Sequence, residues 1–292
     1  MTKLKTIFKK TWLFAAAAAL IAGSNTMMAF ALSRNVPANA SADIAPITAP
    51  AAVNTQNQAG KKAAAAEYTV VDLSKPAERQ KLATEKLSKL EGITPEQIEE
   101  KSKDIIASMT PGDKDITATQ AAAYAAEILK KAYGVDFKGY TAEASFSKNP
   151  VPYSDNWTVI FKAPKEIREK DPVKTRSYIA SVDSVSGKML DASFYNFDYT
   201  GADNKDLKNP DWKNKAAEDI AKLIPENVSI TLIRIISATP ETGVTVVCEL
   251  SDGSACAVRL TGEDKEAAAY IFFPKGYDGS LDVKPATENS VG

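Results

Sequence analysis

Residues 140–146 read Tyr140-Thr141-Ala142-Glu143-Ala144-Ser145-Phe146, and residues 157–162 read Trp157-Thr158-Val159-Ile160-Phe161-Lys162. In both stretches large or apolar side chains recur at every second position, the period that places them on one face of a pleated strand. Polar residues take most of the alternate positions, so the pair predicts an antiparallel sheet covered on one side. Two further strands are expected, around Tyr178, Ala180 and Val182 and around Leu190, Ala192 and Phe194. Between them lies Asp183-Ser184-Val185-Ser186-Gly187-Lys188, a hairpin in which Gly187 can take the left-handed conformation that closes the turn.

Immediately upstream, Thr117-Ala118-Thr119-Gln120 has the spacing of a capping box: the Thr hydroxyl meets the backbone three residues on, and Gln reaches back. The helix it starts is expected to run to about Tyr133 and stop at Gly134, burying Ala121, Ala125, Ile128, Leu129 and Ala132. Its small alanines allow a close approach to the sheet. The same order then recurs: a helix from about Asp211 to Leu223 carrying Trp212, Ala216 and Ile220, ended by Pro225, is followed by strands at 228–236, 244–250, 256–260 and 268–273. The fold class expected is α+β, built from two helix-on-antiparallel-sheet units over residues 113–203 and 204–278, each in the order α-β-β-β-β. The recurrence is one of pattern, with little residue identity between the halves.

Residues 117–194 resemble the PepSY family of small extracytoplasmic domains. The Ala-rich helix, the Trp157–Phe161 strand, and the ending Tyr178-Ile179-Ala180-Ser181-Val182-Asp183 through Ser186-Gly187-Lys188-Met189-Leu190 carry the resemblance. It implies a non-enzymatic exported module that binds or inhibits peptidases or regulates activity near the cell surface. The chain departs from the pattern at Asn149-Pro150-Val151-Pro152 and at the charged 165–174 insertion, which lengthen strand connections. The second half also lacks an Asp…Gly-Lys turn before its last strand.

The N-terminus has Lys3, Lys5, Lys9 and Lys10 ahead of an apolar run from Trp12 to Ala22, and Ala29-Phe30-Ala31 has the small-x-small form of a cleavage site. This is the layout of a signal peptide cut after Ala31, with Ala29 and Ala31 as the recognition residues. Counted through to Leu32, the apolar stretch is also about the length that spans a bilayer, which leaves an uncleaved anchor as the second reading. Either one places the body of the chain outside the cytoplasm, because the lysines stay inside. Residues 32–67, rich in Ala, Pro, Asn and Gln, read as a disordered tether. Residues 68–112 read as a short helical region with starts near Pro76 and at Thr94-Pro95, the second helix placing Ile98, Ile105 and Met109 on one stripe, and residues 279–292 read as a disordered tail.

The chain contains no histidine, which removes Ser-His-Asp and Cys-His catalysis and His-ligated zinc together. Its net charge is −1, and the four leader lysines account for +4, so the body carries −5 and has no basic footprint for nucleic acid. No nucleotide-binding or nucleophile-elbow motif occurs, and no cofactor is expected. Ser145 and Lys148 have the S-x-x-K spacing but fall at a strand end, where that spacing does not align them.

Cys248 and Cys256 flank Ser251-Asp252-Gly253; with Gly253 as a left-handed bulge residue the two cysteines stand opposite each other across a hairpin. A cross-strand disulfide is one reading and a pair of reduced core thiols the other. The expected function is a binding or regulatory module for a protein or peptide at the cell surface, touching membrane only through its N-terminal segment. An open sheet edge is the first expected contact, and Asp183, Ser184, Gly187 and Lys188 of the hairpin are the second; the aromatics Phe197 and Tyr199 either staple the two units together or offer an exposed anchor for the partner. A membrane-anchored sensor or structural envelope protein is the alternative, and a carboxylate-based hydrolase a more remote one.

Overall fold

The computed structural model describes residues 68–282 apart from 89–91, 93, 149–154, 171–174 and 196–203. Ala29, Ala31, Phe197 and Tyr199 lie outside the described residues. Strand β1 (Thr69–Asp72) is followed by helices α1 (Pro76–Leu87) and α2 (Pro95–Ser108). Then come α3 (Ala118–Tyr133), β2 (Thr141–Ser147), β3 (Asn156–Lys162), the short α4 (Lys165–Lys170), β4 (Ser177–Asp183) and β5 (Met189–Tyr195). The second half runs α5 (Asp211–Ala221), β6 (Ile230–Thr239), β7 (Gly243–Leu250), β8 (Ala255–Thr261) and β9 (Glu266–Phe273).

Local chemistry sets the main boundaries. Thr117 accepts the Gln120 amide while the Gln120 side chain accepts the Thr117 N–H, and Gly134 closes α3 at φ +68°. Helix α2 begins with a second such box, Thr94 with Gln97, and Pro95 occupies the first turn where a missing N–H costs nothing. Met109, at the end of its stripe, is buried.

The nine strands form one sheet in the order β1-β2-β3-β4-β5-β9-β8-β7-β6. The two halves therefore meet edge to edge: β5 pairs antiparallel with β9 through Asp191–Ile271, Ala192–Tyr270 and Ser193–Ala269. Tyr133, the last residue of α3, clamps this seam by donating its hydroxyl to the carbonyls of Ala192 and Ala268, one on each side. Its ring meets those of Tyr178, Phe194 and Tyr270 at 5.5–5.9 Å, edge-on or tilted. Nearby, Arg176 forms a two-pronged ion pair with Glu266 and lies 4.0 Å over the Phe194 ring, so a residue of each half holds the other.

Helices α3 and α5 pack on the same face. One continuous core runs beneath both, from Ala142, Phe146, Trp157 and Phe161 in the first half to Trp212, Ile220, Val246 and Leu260 in the second. The expectation of a one-sided sheet holds over β2, where burial alternates strictly, and fails over β6–β9. There Ile236, Val247, Ala257 and Phe273 form a second cluster on the opposite face, covered by Tyr277 and Leu281. Residues 277–282 are accordingly folded against the sheet, with the Tyr277 hydroxyl accepting the Leu281 N–H and donating to Asp282, where the tail was expected to be disordered from 279.

Two more features differ from expectation. The region 68–112 is not purely helical, because β1 joins β2 in parallel. A strand of four residues shows no periodicity long enough to recognise. The first six residues of the charged insertion after β3 fold as α4, an exposed turn and a half.

Candidate functional site

Over the seam, the space between α3 and α5 is filled at one end by the Tyr133 cluster and open at the other. The open end is a cleft of about 530 Å3, within the range of roughly 300–1,000 Å3 typical of ligand sites. Its near wall is the exposed side of α3, from Tyr124 through Glu127 and Ile128 to Lys131. Its far wall is the chain leaving α5, Leu223-Ile224-Pro225, where Pro225 prevents the helix from running on across the opening. The floor comes from strands of both halves, Met189, Leu250, Cys256 and Phe272.

Two hairpin turns frame the mouth. In the β4–β5 turn, the Asp183 carboxylate accepts hydrogen bonds from the N–H groups of Val185 and Ser186 and from the Ser186 hydroxyl. Ser184 is buried, its hydroxyl donated to Asp115 and its N–H to the Asp155 carbonyl. Of the hairpin residues singled out in the sequence, Asp183 and Ser184 thus build the turn, while Gly187 and Lys188 line the cleft. Gly187 has φ +68° and also lies beneath the Tyr124 ring. The position requires glycine twice over, for backbone conformation and for ring contact.

The second turn is β7–β8. Gly253, at φ +84°, donates to the Leu250 carbonyl, and Leu250 donates to Ser254, the geometry of a type I turn closed by a glycine bulge. Asp252 caps this turn through the Ser254 N–H and hydroxyl. Its carboxyl is held below the usual range first by the Ser254 hydroxyl bond and, among weaker causes, by Lys188 across the mouth.

The expected register of the cysteines is present: Cys248 stands opposite Cys256. Both are free, buried thiols. The reason is parity along the ladder. Leu250 and Ser254 form a hydrogen-bonded pair, and because pair types alternate, Cys248 and Cys256 form another. Cβ atoms in such pairs sit near the wide end of about 4.5–5.5 Å, whereas a disulfide needs roughly 3.5–4.5 Å. Burial pushes the Cys248 thiol up to about 12 and Cys256 higher still, so neither is a nucleophile at neutral pH.

The sheet edges are poor docks. β1 offers four residues, and β6, though ten residues long, is broken by two register shifts, after Ile230 and after Ile235. Bulges of this kind twist an edge away from further pairing. The sequence reading missed Tyr124, Ile128, Met189, Leu223 and Phe272 as a group. Ile128 was placed in the core and Leu223 at a helix end, and only the seam brings them to one place.

On the opposite face, Asp191 lies in the seam with its Oδ1 shielded from solvent and without a hydrogen-bond partner. Burial pushes its carboxyl up to about 6 against the opposing hydrogen bonds of Ser181. Among the described residues no group of three cysteine or acidic side chains is arranged to hold a metal ion. Compared with protein-family models, curated proteins and solved structures, the chain matches none.

Proposed function

We propose that the protein is an exported, non-catalytic binding module that engages a protein partner at the hairpin end of the seam. The observation that carries this is the concentration of accessible apolar surface there. Ile128, Met189, Leu223 and Phe272 are only partly buried around one cleft, Tyr124 of its wall is 36% exposed, and Val185, next in the chain to the lining residue Ser186, is 59% exposed. Large exposed apolar side chains are few among the described residues, and of the four one lines this cleft and another is the chain neighbour of a lining residue.

Other features favour binding over chemistry. The chain has no histidine, the two thiols are inert in the core, and the carboxyl with the raised pKa lies on the face away from the cleft. Export follows from the basic, apolar leader, and either fate of the leader leaves the cleft on the outer side. The recurring helix-plus-four-strand order and the resemblance of residues 117–194 to PepSY domains agree with a small extracytoplasmic regulatory module, acting on a peptidase or another cell-surface complex.

The test is site-specific photo-crosslinking of the full chain in its native cells. A photoreactive side chain at Val185 is compared with one at Ile167, which is 52% exposed at the other end of the first half. A discrete adduct from 185 and none from 167 is expected. Equal labelling from both positions, or none from 185, contradicts the reading, and recovery of the chain in the cytoplasm contradicts export.

A further inference from the structure

The proposed binding end acquires a specific occupant from its shape and charge, an inference that rests on the reading above. We infer that the cleft takes about three residues of uncharged, apolar peptide from the partner, threaded over the seam from the hairpin end.

Length follows from the α3 wall. From Tyr124 to Lys131 it runs about 10 Å at roughly 1.5 Å per residue, which matches about three residues of extended chain. The lining reaches Lys131 but not Tyr133 or Tyr270, whose rings pack on each other one step further along α3, so the segment stops short of them rather than passing through. Side-chain character follows from the lining: Met189 and Phe272 of the floor and Ile128 and Leu223 of the two walls are apolar, and Met189 is unbranched and adapts to different shapes.

Charge selects against ionic occupants. Glu127 and Lys131 pair with each other at 2.9 Å, and Lys188 and Asp252 face each other across the mouth. Lys131 thus has its own anion and Lys188 shares the mouth with an acidic residue, so an entering charge meets balanced charge in exchange for its lost water. The same mouth favours peptide over an acyl chain. Lys188 supplies a donor and Asp252 an acceptor to the lining, which suit the carbonyl and N–H of an amide, whereas a hydrocarbon chain would strip water from both and satisfy neither.

The experiment is a methyl NMR titration of the folded protein with three blocked tripeptides: acetyl-Ala-Leu-Ala-amide and its counterparts with Lys or Glu at the centre. With the leucine peptide the methyls of Met189, Ile128 and Leu223 are expected to shift together and saturate. Binding of the charged peptides is expected to be at least about tenfold weaker. Ile128→Glu should abolish the shifts of Met189 and Leu223, and Tyr124→Ala, an exposed substitution that leaves the core intact, should weaken binding several-fold. Equal affinity for all three peptides overturns the inference, as do shifts confined to the β6 edge at Leu232 and Ile235. It is also overturned if monomeric dihexanoylphosphatidylcholine moves the same methyls at lower concentration than the leucine peptide. A crosslink from Val185 with no response to any tripeptide refutes this occupant while leaving the binding end in place; tripeptide binding without a crosslink refutes the partner reading instead.

Discussion

The Tyr124 ring rests on Gly187, so close that a Cβ added at 187 would stand 2.5 Å from ring Cε2. This contact joins α3 to the β4–β5 hairpin and shapes one lip of the cleft. Gly187→Ala therefore carries two penalties. The left-handed backbone costs an L-residue about 1–2 kcal/mol, and the ring must move. In urea denaturation Gly187→Ala should lose stability by that amount or slightly more. In a Tyr124→Ala background the cost should fall by about 0.5 kcal/mol or more, because the backbone part remains and the steric part vanishes. Strict additivity would show that the ring does not bear on the turn.

Cys248 and Cys256 should stay reduced in the folded protein even under oxidising conditions. After prolonged air exposure the intact mass should remain that of the dithiol, and a thiol reagent should label both cysteines only when denaturant is added. Cys256→Ser places a hydroxyl in an apolar floor and should cost about 1–3 kcal/mol. A disulfide in the native protein would mean that the Cβ atoms of this directly opposed pair stand closer than a hydrogen-bonded pair holds them.

Asp191 gives the fold a pH dependence of stated sign. Its carboxyl titrates at about 6 in the folded protein against about 3.9 in an unfolded chain. The folded state binds this proton more tightly, so its contribution to stability is complete below about pH 4 and is lost as pH rises through about 6. The difference is on the order of 2–3 kcal/mol. Asp191→Asn should be more stable than the parent at pH 7 and close to it at pH 4, as read from urea midpoints at the two pH values. A variant less stable than the parent at pH 7 would mean that the ionised carboxylate is a favourable partner in the seam.

Much of this fold is legible in the sequence because the signals are local. Thr117 with Gln120, Gly134, Gly187 and Gly253 each announce a helix end or turn within four residues, and the structure uses every one of them as expected. The strands of both halves lie within a few residues of where alternation places them. The seam has no such signal. Asp191, Ala192 and Ser193 pair with residues nearly eighty positions away, and three polar or small side chains in a row give no hint of a partner. The cleft inherits this difficulty, since Ile128, Met189, Leu223 and Phe272 come from four elements that meet only when the seam closes. The state of the cysteines stays open in the sequence for a subtler reason: alternation predicts which residues face each other, but not which pairs exchange hydrogen bonds, and that parity sets how far apart their Cβ atoms stand.

Native-state hydrogen exchange across the seam tests the central claim, that both halves fold as one sheet and the binding cleft is a permanent product of their junction. The backbone amides of the β5–β9 ladder should exchange only through an opening as costly as that of β3 in the first half and β8 in the second, so that all three report one cooperative unit. If the amides of β6–β9 exchange as a separate group while β2–β4 stay protected, and the seam opens with the weaker half, then the junction is a loose contact between independent domains and the cleft is not a built feature of the protein.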